Sequence, residues 1–270
     1  MARENTVILH GQIQTMPKVY VKDGKPSRGI IVVKTLRRTN GTGGYAGSKL
    51  YFDCPIILTR NEDMIRQFYN LEAGDMVDIK GALTTKEVEK SALCPHCGTK
   101  NSARGNTVFV TPIFVEKREH ALSPEDGLRT LKERSEISNL ITVIGTLCRD
   151  PEYHQDDKGR DYAQYQLAVN RRLRIREDSP DIKTDYPWVK TFGQQALNDS
   201  RALRKSSVIY ITGAVQTREI VRTSICMECG KTFTWKETVT EIVPYATEYL
   251  SGCIIPDPED KANGEVETQG

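Results

Sequence analysis

Apolar and polar residues alternate in short runs along this chain, at residues 6–14, 29–36, 77–84 and 108–116, and again at 140–147, 162–169, 208–216 and 232–243. Alternation with a period of two sends one side chain to a core and the next to water, which predicts strands. Gly, Pro, Asn and Asp bound the runs and mark turns. Two stretches break the alternation. Residues 61–69 and 194–204 read as helices, one before the fourth strand of each set.

The two sets are copies of one unit. Asn5-Thr6-Val7-Ile8-Leu9-His10-Gly11 recurs as Asn139-Leu140-Ile141-Thr142-Val143-Ile144-Gly145. A step of 134 positions takes Gly11 to Gly145 and the pair Arg37-Arg38 to Arg171-Arg172. Residues 71–81 recur at 203–213, and both Gly81 to Cys94 and Gly213 to Cys226 span 13 positions. Five strands with a single helix before the fourth is the order of an OB-fold barrel. The predicted fold class is mostly β: two tandem OB-fold five-stranded barrels, each with one short helix and a Cys-x-x-Cys hairpin between strands 4 and 5. The predicted domains are 1–120 and 137–252, joined by a helical linker at 121–136 and followed by an acidic, disordered tail at 253–270. Ser123-Pro124-Glu125-Asp126 opens that linker with an N-cap, a proline and two acids, which predicts a helix over 124–135.

The net charge of +2 is unevenly spread. Residues 1–120 are basic, whereas the tail sets Asp257, Glu259, Asp260, Glu265 and Glu267 against Lys261 alone. A basic body suits a polyanionic ligand. Apolar runs such as 30–33 are far too short to span a bilayer, so no membrane partner is expected. Residues 1–5 lack the apolar core of a secretion signal, which places the expected location in the cytoplasm. Seven cysteines argue against a disulfide framework there.

Four of those cysteines come in pairs. Cys94-Pro95-His96-Cys97-Gly98 and Cys226-Met227-Glu228-Cys229-Gly230 are knuckles from which two thiolates can bind one metal, and structural zinc takes four ligands. The expected cofactor is zinc. Cys94, Cys97, Cys226 and Cys229 could share one ion within a chain or between chains of a dimer, and two sites completed by His96 or water are the other arrangement. Cys148 follows an apolar strand and is expected to pack as a small hydrophobe. Cys54 and Cys253 have no partner in sequence, and His10, His120 and His154 show no ligand spacing.

Asn139 to Gly145, Arg149-Asp150-Pro151-Glu152, Leu167 to Arg172, Thr184 to Gly193 and Ile211 to Arg218 follow one another in order within residues 137–219. In that series the chain resembles the bacterial single-stranded DNA-binding protein family. The first copy matches more loosely, through Asn5–Gly11, the Arg37-Arg38 pair and residues 77–84. The resemblance implies a non-enzymatic chain that binds single-stranded DNA, a homodimer that presents four barrels together, and replication or recombination proteins as further partners. At the family's four stacking positions this chain has Tyr186 and Phe192, with Leu173 and Ile220 at the other two.

Binders of single strands join a basic groove to aromatic faces on which bases stack. Even spacing puts Tyr186, Trp188 and Phe192 on one face of a strand, with Tyr162 and Tyr165 nearby. Phe192, just before the helix, could equally fill the barrel. The comparable stretch of the first copy holds Tyr45, in a glycine-rich loop, with Tyr51 and Phe52. Lys34, Arg37 and Arg38 match Arg171, Arg172, Arg174 and Arg176 in position, which points to phosphate contacts. The expected function is sequence-independent coating of single-stranded DNA in replication, repair, recombination or DNA transfer. A barrel that docks a replication or conjugation partner, or one that binds RNA, is the alternative. No phosphate-binding glycine motif and no acid, base and nucleophile set points to an enzyme.

Overall fold

The computed structural model describes residues 3–37, 50–157, 159–171, 175 and 184–254. The first half runs β1 (Glu4–Ile13), β2 (Lys18–Lys22), β3 (Lys25–Arg37), β4 (Tyr51–Asp53), β5 (Ile56–Thr59), α1 (Glu62–Phe68), β6 (Met76–Leu93) and β7 (Lys100–Glu119). Helices α2 (Pro124–Glu133) and α3 (Ser135–Ser138) follow. The second half repeats the order as β8 (Asn139–Leu147), β9 (Glu152–Gln155), β10 (Asp161–Asn170), β11 (Thr184–Asp185), β12 (Trp188–Phe192), α4 (Gln194–Ala202), β13 (Val208–Ile225) and β14 (Thr232–Ser251).

Each half closes on itself. In the first, β1 pairs with β3, β3 with β5, β5 in parallel with β7 at Ile57 and Val110, β7 with β6, and β6 with β1. The second repeats this circuit through β8, β10, β12, β14 and β13, with the parallel bridge at Val189 and Ile242. These are five-stranded OB-type barrels. Burial alternates along the strands as the sequence pattern requires: in β10, Ala163, Tyr165, Leu167 and Val169 point inward. Gly81 and Gly213 recur because each sits where β6 or β13 crosses its partner closely. A Cβ at either would run into the carbonyl oxygen of Thr111 or Val243.

The halves join through β1 and β8, antiparallel from Glu4 opposite Ile144 to Leu9 opposite Asn139. One apolar cluster runs from Val7 and Ile79 into Ile141 and Ile211, so the two barrels share a continuous core. Asn5 and Asn139 repeat one buried contact, each bonding both backbone groups of Leu83 or Val215 at 2.8–2.9 Å.

Two predicted boundaries move. The helix expected over 124–135 ends at Glu133, and a short turn of helix over Ser135–Ser138 leads into β8. Ser123 caps α2, its hydroxyl accepting the Asp126 amide at 3.1 Å. Strands 4 and 5 outrun the sequence pattern. Strand β6 continues past Thr84 to Leu93 and β13 past Gln216 to Ile225, so each hairpin extends from its barrel as a long arm. Along β6 and β14 the arm residues alternate between partly buried and exposed, and the run read at 232–243 already reaches the β14 arm.

The root of each arm is held by the opposite barrel. Asp53, at the end of β4, accepts the Thr217 amide of β13 at 2.8 Å, and Asp185, in β11, accepts the Thr85 amide of β6 at 2.8 Å. The Cys54 amide donates to the Thr217 hydroxyl at 2.7 Å, and the Tyr186 amide donates to the Thr85 hydroxyl at 3.0 Å. The chain therefore builds an internal pseudo-twofold from its two repeats.

Candidate nucleic-acid interface and metal centre

Strand β12 presents Trp188, Lys190 and Phe192 outward and Val189 and Thr191 inward. Its register with β10 sets Trp188 opposite Gln166, Lys190 opposite Gln164 and Phe192 opposite Tyr162. The Lys190 ammonium lies 4.2 Å from the centre of the Tyr162 ring and 5.7 Å from that of Phe192, and His154 stacks on Tyr162 at 5.1 Å. The Arg149 guanidinium lies 4.6 Å from the centre of Trp188. Burial, with the nearby Arg218 cation, holds Lys190 below its usual range. A phosphate brought to it would reverse that shift. Phe192 is 49% and Tyr186 44% exposed, so neither fills the barrel.

Tyr165 does. It is fully buried, with its hydroxyl donating to Asp199 at 3.1 Å, because an odd position in β10 faces inward. Lys190 lies on the same even-step face as Trp188, and only a reading confined to rings leaves it out. Arg149 and His154 reach this face from outside β12, a placement that only the fold supplies.

The paired Arg37 and Arg171 are held in buried ion pairs and not on the phosphate-contacting face expected of them. Arg171 is 4% exposed at its side chain and lies 2.8 Å from Asp185, and Arg37 lies 3.1 Å from Asp53 and donates to Gln216. They recur at matching offsets because each neutralises the aspartate that grips the opposite arm, and neither lies on the outer strand-facing surface. In the first barrel Lys34 covers the Phe52 ring at 4.5 Å and Arg37 the Tyr51 ring at 5.2 Å. Phe52 packs against Leu36, Met76 and Leu131, so it is partly core, while Tyr51 is exposed. Arg38, Tyr45, Arg172, Arg174 and Arg176 lie outside the described residues.

The two knuckles meet at the arm tips. Cys94, Cys97, Cys226 and Cys229 bring their sulfurs within 4.8 Å of one another, with Cys94 to Cys229 at 3.8 Å and Cys97 to Cys226 at 3.6 Å. A tetrahedron with zinc–sulfur bonds near 2.3 Å has edges of about 3.8 Å, so the four sulfurs fit a structural zinc. Each knuckle turns on a glycine with positive φ, Gly98 at 74° and Gly230 at 68°. Their amides donate to the Cys94 and Cys226 carbonyls at 2.9 and 3.0 Å. Asn101 ties the knuckles together, donating to the Cys226 sulfur at 3.5 Å and accepting the Met227 amide at 3.0 Å.

The thiols are pushed apart in acidity. The backbone amide at Cys229 holds Cys226 down to about 6. The Lys231 amide favours the Cys229 thiolate, but burial and the neighbouring sulfurs outweigh it and push Cys229 up to about 11. Four sulfurs this close cannot all carry charge without a cation between them. The four cysteines could therefore hold a metal.

Residues 138–241 match the model of the Single-strand binding protein family. Single-stranded DNA-binding protein 1 of Lactococcus lactis subsp. lactis (strain IL1403) is 31% identical over 80 residues, which cover 30% of this chain and 52% of that protein. Single-stranded DNA-binding protein A of Bacillus subtilis (strain 168) is 32% identical over 80 residues, 30% of this chain and 45% of that protein. The chain thus spans about half the length of the curated relatives it matches. The wild-type single-stranded DNA binding protein from Thermus aquaticus superposes with a TM-score of 0.57 at 18% identity, over 93% of this chain and 95% of that one. A deletion variant of the same protein gives 0.57 over 95% and 100%. That likeness establishes the OB-type fold across both halves.

Proposed function

We propose that this chain, which carries a domain of the single-strand binding protein family at residues 138–241, coats single-stranded DNA without regard to sequence. The observation that carries the reading is the outer face of β12, where Trp188, Lys190 and Phe192 stand in one row beside Tyr162. Rings there stack on bases, and Lys190 and Arg149 meet phosphates. Tyr186, Tyr51, Lys34 and the partly buried Phe52 extend the contact surface. The work is done by binding energy that holds bases unpaired, with no catalytic step. The chain acts in the cytoplasm in replication, repair, recombination or DNA transfer.

Fluorescence anisotropy of labelled oligo-dT, oligo-U and a matched duplex across a salt series tests this. Oligo-dT binds tightly and its affinity falls steeply with salt, because counterions leave with each phosphate contact. Trp188→Ala and Phe192→Ala each weaken oligo-dT binding roughly tenfold, the size of one lost stack. Equal affinity for duplex sinks the coating reading, and stronger binding to oligo-U makes the ligand RNA.

The four thiolates Cys94, Cys97, Cys226 and Cys229 hold one zinc that clasps the two arms of a chain. Two chains assemble as a homodimer, for which the exposed Ile8 and Phe114 on the outer face of β1 and β7 supply apolar area. Native mass spectrometry reads both statements at once. Two chains with two zinc ions are expected; a metal-free folded chain removes the clasp, and a chain that stays single at micromolar concentration removes the dimer.

A further inference from the structure

Beyond the β12 row, the structure holds a cavity of about 490 Å³ between the two arms and the second barrel. Trp188 lines one part of it and Trp235, on the β14 arm, another. The chain has two tryptophans, and both are here. Trp235 is held from behind by Phe233, 5.7 Å away, within the small apolar cluster beneath the cysteines.

The charges around the cavity favour an anion. Lys90, on the first arm, pairs with Glu237 on the second, and Arg222 binds the other Glu237 oxygen at 2.8 Å. Two cations thus share one carboxylate, and about half of the Arg222 side chain remains exposed. Arg104 lines the same cavity and is exposed, and the hairpin register sets Glu89 opposite it without an ion pair between them. A cavity of this volume with aromatic walls and a net positive rim fits a small planar ring carrying a phosphate.

The pseudo-twofold makes the cavity one-sided. The hairpin register sets Trp235 opposite Arg222 in the second arm and Ala103 opposite Lys90 in the first. The position that repeats Trp188 is Ile56, one residue before the parallel bridge in each barrel. Neither aromatic wall exists on the other side.

We propose that this cavity takes one unstacked nucleotide of a bound single strand, with its base against Trp235 and Trp188 and its phosphate at Arg104 and Arg222. The inference rests on the single-strand reading and adds to it a site on the clasped arms. The strand passes from the β12 face into the space between the arms, and it does so on one side of the molecule only.

Trp188→Phe leaves Trp235 as the sole tryptophan, so its emission reports this cavity alone. Titrating that variant with oligo-dT, with anisotropy of the labelled strand followed in the same samples, quenches Trp235 in step with binding. In the parent sequence Trp235→Ala weakens oligo-dT binding roughly tenfold. Saturating anisotropy with unchanged Trp235 emission puts the strand elsewhere and overturns the cavity while leaving the coating reading intact. A silent anisotropy signal from the parent sequence overturns both. Should Trp235→Ala disturb the cysteine tip, the Trp188→Phe emission still decides the question.

Discussion

Replacing Asp185 with asparagine lowers the melting temperature by roughly 10 °C. Asp185 and Arg171 are nearly inaccessible, at 1% and 4% exposure, and lie 2.8 Å apart. Asparagine keeps the shape and can still accept the Thr85 amide, so the change isolates the charge. It removes the carboxylate charge that lies against the buried Arg171 guanidinium, a loss of about 3–5 kcal/mol. At this chain length each kcal/mol moves the midpoint by roughly 2–4 °C. Adding Arg171→Met recovers much of the loss, since the buried guanidinium is then removed along with its carboxylate. Glu219→Gln is the control. Its bridge to Lys236 joins side chains 62% and 72% exposed, and its loss costs less than about 0.5 kcal/mol. Thermal unfolding of the three variants checks the set. A midpoint for Asp185→Asn within a degree of the parent would mean that the buried Arg171–Asp185 charge pair adds nothing to stability.

Removing the proposed zinc has the largest local effect. Chelation, or the pair Cys94→Ser and Cys226→Ser, frees the arm tips while the barrels stay folded. Structural zinc contributes about 10–16 kcal/mol of binding energy to a site of this kind. Besides the Asn101 hydrogen bonds and the Lys90–Glu237 pair, the tips have Phe233, Trp235 and Ala92 beneath the sulfurs, and a two-stranded hairpin is marginal by itself. Amide exchange at residues 91–102 and 223–234 rises toward the unprotected rate after chelation, while β1 and β8 exchange as before. Identical exchange with and without chelator would show that the tips need no metal.

Much of the fold was open to sequence reading because its signals are local. Alternation along β8 and β10, the repeat at 134 positions and the Ser123 cap each depend on neighbours in the chain. The run at 232–243 reached the β14 arm, whereas the other arm strands escaped because their inner faces are only partly buried and carry little apolar contrast. The cysteine pairs were visible through spacing, since a knuckle is a local turn. That the two knuckles share one tip depends on β1 pairing with β8, which brings the roots of both arms together.

The site residues divide in the same way. Trp188 and Phe192 followed from even steps in one strand, and the same rule applied to β10 puts Tyr165 inside. Arg37 and Arg171 misled for a physical reason: a charge repeated at one offset marks a repeated contact, and sequence does not say with what. The aspartates that answer them, Asp53 and Asp185, bind the opposite arm through contacts more than 90 residues away in the chain. Trp235 could not be joined to Trp188 for the same reason. Strand periodicity, repeat and ligand spacing were thus determined by the sequence alone. Which charges are buried, which rings share a cavity and which thiols meet were decided by tertiary structure, because each depends on the pairing of two barrels that no local pattern encodes.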